Sequence, residues 1–482
     1  MKALFPLLFL PLFLCVSCST KHPDVPRDFQ ESSLQAEIFP DYTDVTVPAN
    51  IAPLNFMAAQ PSVRACVAQV DFEGGSRTYG NGRKVIFDEE EWTDLLRSAK
   101  GSSLQVTFYA QDAEGKWTRY QPFRIYIAAD EIDPWLSYRL IEPSYVAYET
   151  IDLMQRNLTS FEESVIRSNR QNREQCLNCH SYQNYHTANM LYHVRGKGGG
   201  TMLIYKHQAQ LMTAMRREGM ISNPVYPSWH PTLPLIAFST NKTGQLFHTQ
   251  NPEKIEVQDS QSELVLYDVE RDSMIRIPSP IEEFENFPTW SPDGRQLYYT
   301  SAHYEKRDTA EVLERDLANH YQELKYNLYV RDFNADSLKF SERRLVSDEA
   351  AIGQSATLPR VSPDGKYLLF ASGSYGCFHI WHPDADIRLL NLETMQPDSL
   401  QALNSPRAES YPSWSSNGRW ILMASRRDDG NYSRVYIAYF DRNGLAHKAF
   451  AVPQADPEHD KLLLKSYNRP ETMLEKVITG RN

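Results

Sequence analysis

The chain has 482 residues, room for about three domains, and its 41% apolar, 23% charged and 12% aromatic composition is too rich in core formers for a disordered protein. Fifty Lys and Arg against 61 Asp and Glu leave a net charge of -11, and with no basic tract to follow a phosphate backbone the composition points away from nucleic acid. The 27 tyrosines and 29 prolines, with few Ala-Leu runs, predict a mainly β fold with many turns rather than an all-helical one.

Residues 1-18, MKALFPLLFLPLFLCVSC, combine one lysine with an apolar run too short to span a bilayer comfortably, the pattern of an export signal. Ser17 before Cys18 resembles a bacterial lipobox, in which the cysteine is acylated and becomes the mature N-terminus. Leu14 is bulky for a cleavage site at Cys15, so Cys18 is the expected lipidation site, with an ordinary cleaved signal as the alternative. The expected membrane attachment is through that lipid anchor only. Residues 19-48 are polar and proline-dotted and read as a linker.

Short alternating runs over residues 49-140, separated by turn clusters such as EGGSRTYGNG, predict a β-sandwich-like domain. Within it Trp92, Leu95, Leu96 and Ala99 recur at helical spacing before Gly101, which predicts one helix over 87-100. Residues 141-197 differ: Ile151, Met154, Leu158, Phe161 and Val165 follow a helical spacing, so this stretch is expected to be a short helical segment.

From residue 198 to 482 the chain repeats itself. The copies read YPSWHPTLPLIAFST from Tyr226, FPTWSPDGRQLYYTS from Phe287, LPRVSPDGKYLLFAS from Leu358 and YPSWSSNGRWILMAS from Tyr411. Each is an aromatic or apolar entry, a Pro-Asp-Gly type turn and an alternating apolar strand, which is one hairpin of a propeller blade. Further strand pairs follow each hairpin, and 201-216 is expected to supply outer strands that close the ring with the C-terminal region, so five or six blades are expected. The charged stretch at 305-327 reads as an exposed insertion containing a helix. The P-x-W-S-P-D-G pattern resembles the TolB-like (WD40-like) propeller repeat, and this resemblance implies an exported protein facing the periplasm or held at the outer membrane of a Gram-negative cell.

The chemistry-bearing motif is Cys176-Leu177-Asn178-Cys179-His180. It has the spacing of a c-type haem attachment site, which would arise by chance in about two of a thousand chains of this composition. Cys176 and Cys179 are the expected thioether donors and His180 the expected proximal iron ligand of one haem c. Export agrees with this, because such attachment takes place outside the cytoplasm. A redox-active dithiol, and a zinc site of Cys176, Cys179 and His180 or His186 with His193, are the competing readings. Met190 and His193 are the candidate sixth ligands, with Trp229, His230 and Met220 as possible haem walls. Cys66 and Cys377 read as a disulfide or as two small buried hydrophobes. No Ser/His/Asp set, P-loop, dinucleotide fingerprint or H-E-x-x-H is found.

The combined pattern resembles exported TolB-like propeller lipoproteins bearing one C-x-x-C-H segment. It implies electron transfer or redox sensing, with the propeller as a docking platform for an envelope protein or redox partner. The alternative is a haem-free protein-interaction scaffold, and a third reading is peroxidase-like chemistry.

Overall fold

The computed structural model describes residues 22–142, 150–170, 175–280, 282–398 and 400–478. The export segment and Cys18 lie outside these residues. The fold is mainly β, with short helices, and among the described residues no helix is long and apolar enough to cross a membrane.

Six blades close into a ring, four of them separate four-stranded sheets and the other two joined in one nine-stranded sheet. Blade 1 runs through Gln175–Gln183, His186–Gly196, Gly200–Tyr205 and Gln208–Met212. Blade 2 begins at Pro224–Trp229, blade 3 at Glu283–Trp290, blade 4 at Ser355–Val361 and blade 5 at Glu409–Trp414. Blade 6 is made from both ends of the ring: its inner strand is Ser466–Met473, paired antiparallel with Trp135–Ile141, outside which lie Ile151–Asn157 and Glu163–Ser168. The six inner strands touch one another in sequence, and the sixth touches the first, so the last strand closes the propeller and its sheet faces are buried on neighbouring blades.

The expected helical segment at 141-197 is therefore strand. Its apolar spacing straddles a hairpin. The chain reverses at 158–162, where Asn157 and Glu162 are joined through the backbone at 2.8 Å, so Ile151 and Met154 belong to one strand and Val165 to the next. Two strands read as one periodic run imitate a helix. The ring accordingly starts well before residue 198, and the sheet of blade 1 runs across that position.

The N-terminal unit is β-sandwich-like, a seven-stranded and a three-stranded sheet sharing one core. The helix lies at Glu89–Ser98, where Asp88 caps it by accepting from the N–H groups of Glu90 and Glu91 and where Trp92, Leu95 and Leu96 are buried. Residues 30–47 are not a leash. Gln30–Gln35 and Val45–Val47 pair in parallel with Trp117–Gln121 and Phe123–Ile127, because Tyr42, Val45 and Val47 are apolar enough to be fully buried despite the prolines around them. The same core takes in Trp420, Val435, Phe450 and Tyr467 of the ring, so the unit is docked on blades 5 and 6. Cys66 lies in this core and Cys377 in another; both are free, buried thiols. The insertion in blade 3 carries the helix Leu313–His320.

Candidate functional site

Every inner strand carries the same irregularity. The pairing with the second strand skips at Cys179–His180, Tyr226–Pro227, Phe287–Pro288, Leu358–Pro359, Tyr411–Pro412 and Arg469–Pro470, where two residues face one on the partner. The first residue of each pair has a left-handed backbone, with φ between 50° and 53°. These are β-bulges, and a bulge re-aims side chains. Six equivalent residues, from Cys179 to Arg469, thus converge on the propeller axis and line one cavity of about 980 Å³.

The haem-type motif is consequently the blade 1 copy of the repeat, with His180 standing where the other five blades carry proline. Alternation along Gln175–Gln183 sends Cys176 and Asn178 to the cavity and Leu177 away into the apolar layer against blade 6. The extra residue of the bulge then lets both Cys179 and His180 reach the same wall. A bulged strand thus brings Cys176, Cys179 and His180 to one cavity.

Cys176 and Cys179 are free thiols. Burial raises the Cys176 thiol above its ordinary value, against the pull of Arg139 and Arg195. His180 is 2% exposed, and its Nε2 has no hydrogen-bond partner. Burial pushes its imidazole down to about 4, so at neutral pH the ring is uncharged and one of its two nitrogens carries a free lone pair. This unpartnered nitrogen, a state His193 Nε2 shares away from the cavity, stands beside two thiols on a large cavity, a donor set that fits a metal-bearing macrocycle.

Around this trio the wall is cationic. Arg139, Arg195, Arg360, Arg426 and Arg469 line the cavity, with Glu142 as the one carboxylate among its lining residues. Arg139 donates to the carbonyl of Leu177 at 3.2 Å and to Asn178 Oδ1, fixing the backbone between the two cysteines. Glu471 stands 3.1 Å from Arg469 and 3.6 Å from Arg360. Burial alone would raise its carboxyl, but Arg469, His180 and Arg360 together hold it below its ordinary value. The apolar part of the wall includes Tyr226, Phe287, Tyr411 and Trp381.

Neither a protein-family model nor a curated protein matches the chain. Among solved structures it is similar to TolB from Acinetobacter baumannii, at 13% identity and a TM-score of 0.44 over 80% of this chain and 85% of that one. It is also similar to an oligogalacturonate lyase from Vibrio parahaemolyticus, at 11% identity and a TM-score of 0.33 over 86% of this chain and all of that one.

The two expected sixth ligands are elsewhere. Met190 is fully buried in the apolar layer between blades 1 and 6. His193 faces blade 2, bonding Thr201 Oγ1 through Nδ1 at 2.9 Å with Phe238 beside its ring. Both sit on the second strand of blade 1, behind the cavity wall, because pairing with the inner strand turns them into the spaces between blades. Trp229, His230 and Met220 do not line the cavity either: Trp229 and Met220 pack between blades 1 and 2, and His230 belongs to a turn. His186 is exposed, 3.3 Å from Glu475, and among the described residues no group of three or more His, Cys, Asp or Glu is placed to hold a metal ion.

The arginines escaped sequence reading because they come from blades 1, 4, 5 and 6. Only Arg469 had a local signal, in SYNRPETM, whose Arg-Pro pair copies the bulge of the other blades.

Proposed function

We propose that this chain carries one covalently bound haem c in the axial cavity and serves as an exported, lipid-anchored redox protein of a Gram-negative envelope, passing or sensing single electrons at a site presented by the propeller. The observation that carries the proposal is the meeting of Cys176, Cys179 and the unpartnered Nε2 of His180 on one wall of a roughly 980 Å³ cavity.

The haem, when bound, supplies a one-electron couple and an iron coordination position. Cys176 and Cys179 hold it through thioethers. Each Sγ–H adds across one vinyl double bond, sulfur to one carbon and hydrogen to the other, so nothing leaves and no oxidant is consumed. His180, kept neutral by burial, offers Nε2 as the proximal ligand. Leu177 and Asn178 set the spacing, one anchoring the strand in the core and the other fixed by Arg139. The aromatic wall of Tyr226, Phe287, Tyr411 and Trp381 excludes water from the faces of a flat, apolar group. His180 is the one His among the lining residues, and no Met is among them, which favours sensing, or exchange with a small ligand, over a sixth protein ligand from Met190 or His193.

The test is a haem-stained denaturing gel with intact mass, on full-length chain matured in cells that attach haem c. Wild-type chain is expected to stain and to gain the mass of one haem. Cys176→Ala and Cys179→Ala should each weaken attachment, the double variant should abolish it, and Cys66→Ala should leave it unchanged. A colourless wild-type protein with no added mass overturns the proposal and leaves a propeller scaffold.

A further inference from the structure

Arg426 lines the cavity as a buried charge. It is 5% exposed, at the end of the second strand of blade 5. Its Nε donates to the carbonyl of Ile380 at 2.5 Å and its Nη1 to that of Asn431, while the guanidinium lies 3.5 Å over the ring of Trp381. No carboxylate pairs with it within 4.0 Å among the described residues, and its Nη2 makes no hydrogen bond there. Burial depresses it to about 9. Asp429 attracts it only from beyond 4.0 Å, and a buried cation without a paired counter-ion is costly, in a chain whose net charge of -11 leaves many carboxylates from which a closer partner could have been placed.

Its position in the ring matters as much as its charge. Cys176, Cys179 and His180 are on blade 1, and Arg426 bridges blades 4 and 5, on the far side of the axis. In a haem the two vinyl groups lie at the opposite edge of the macrocycle from the two propionates. Thioethers on blade 1 therefore turn the carboxylates away from blade 1.

We propose that Arg426, stacked on Trp381, is the carboxylate anchor of the cavity and receives the propionate edge of the haem. This rests on the haem reading above. Guanidinium matches carboxylate in a two-pronged geometry that lysine does not reproduce, and Arg426 acts here as a positioning residue, since the covalent hold is the cysteines'.

The experiment uses full-length wild type, Arg426→Gln and Arg426→Lys, each prepared with haem attached and from cells unable to attach it. Gln can still donate to the Ile380 carbonyl but carries no charge. Arg426→Gln is expected to keep the added haem mass and to melt about 4 °C below wild type when haem is attached, with no loss in the haem-free pair. Arg426→Lys should recover part of that difference. Equal losses in the haem-bearing and haem-free pairs would assign Arg426 to holding the Ile380 loop and overturn the anchor, as would no loss in either.

If wild type gains no haem mass, the haem reading fails on its own. The colourless protein is then titrated with citrate and with succinate and followed by melting temperature. Stabilisation of wild type that vanishes in Arg426→Gln keeps the carboxylate anchor and makes a free organic acid its ligand. No stabilisation by either acid overturns it.

Discussion

His230 shows how one substitution in a repeat is absorbed. In blades 3, 4 and 5 the turn opens with Ser291, Ser362 or Ser415, whose hydroxyl accepts a backbone N–H from Gln296, Tyr367 or Trp420. In blade 2 that place holds His230, whose Nδ1 accepts from the N–H groups of Thr232 and Leu233 while Nε2–H donates to the carbonyl of Gly294 in blade 3 at 3.1 Å. Gly294 has φ +71°, and a Cβ there would stand 2.3 Å from the imidazole, so the contact requires glycine. Both ring nitrogens are committed in the neutral form, and burial takes the pKa from 6.5 down to about 4, against the pull of the Gly294 carbonyl and Asp293. A base whose folded pKa is depressed stabilises the fold fully above its unfolded value and loses that contribution as pH falls. Wild type should therefore lose on the order of 2 kcal/mol between pH 7 and pH 4 that His230→Gln does not lose. Urea denaturation of both proteins across that range measures the difference, and parallel pH profiles would refute it.

The repeated hairpins were legible because Pro-Asp-Gly turns and alternating strands leave a local record. Two further copies were not, since Cys179-His180 shares only a backbone irregularity with the rest and Arg469-Pro470 only that and its proline, and a left-handed residue before a bulge has no fixed side-chain signature. The same gap hid the role of proline. Pro227, Pro288, Pro359, Pro412 and Pro470 follow a residue with φ near +50° in every other blade, at a place where the ladder is already broken and an N–H is dispensable. That makes an unusual substitution harmless to the fold. His180→Pro should melt within a few degrees of wild type in the haem-free state, although proline in a central strand is ordinarily disruptive, while the spectrum of the haem-bearing protein should change through loss of the proximal nitrogen. Proline at the neighbouring ladder position Ser181, which pairs with Leu191, is the control and should unfold blade 1. Equal damage from the two substitutions would show that blade 1 does not share the bulge of the other five.

At the scale of the molecule, function and stability meet in the last strand. Ser466–Met473 supplies the inner edge of blade 6 against Trp135–Ile141, brings Arg469 to the cavity wall with Glu471 3.1 Å from it, and ties the N-terminal unit to the ring through Asp133, whose carboxylate accepts from Thr472 Oγ1 at 2.6 Å and from the N–H of Ser416 at 2.7 Å. Sequence reading placed the ring closure at the C-terminal region but gave it 201-216 as partner, whereas those residues carry the outer strands of blade 1 and the closing pair joins residues more than 300 positions apart, which leaves no periodic trace. An open ring would expose the apolar faces of blades 1 and 5 that the strand covers. A chain ending at Lys465 should therefore lose cooperative unfolding and associate through those faces, and a synthetic peptide spanning 464–478 added in trans should restore a monomer with a single melting transition. Size-exclusion chromatography and calorimetry with and without the peptide decide this: a truncated chain that remains monomeric and melts as wild type would mean that the five remaining inner strands hold the ring without the sixth.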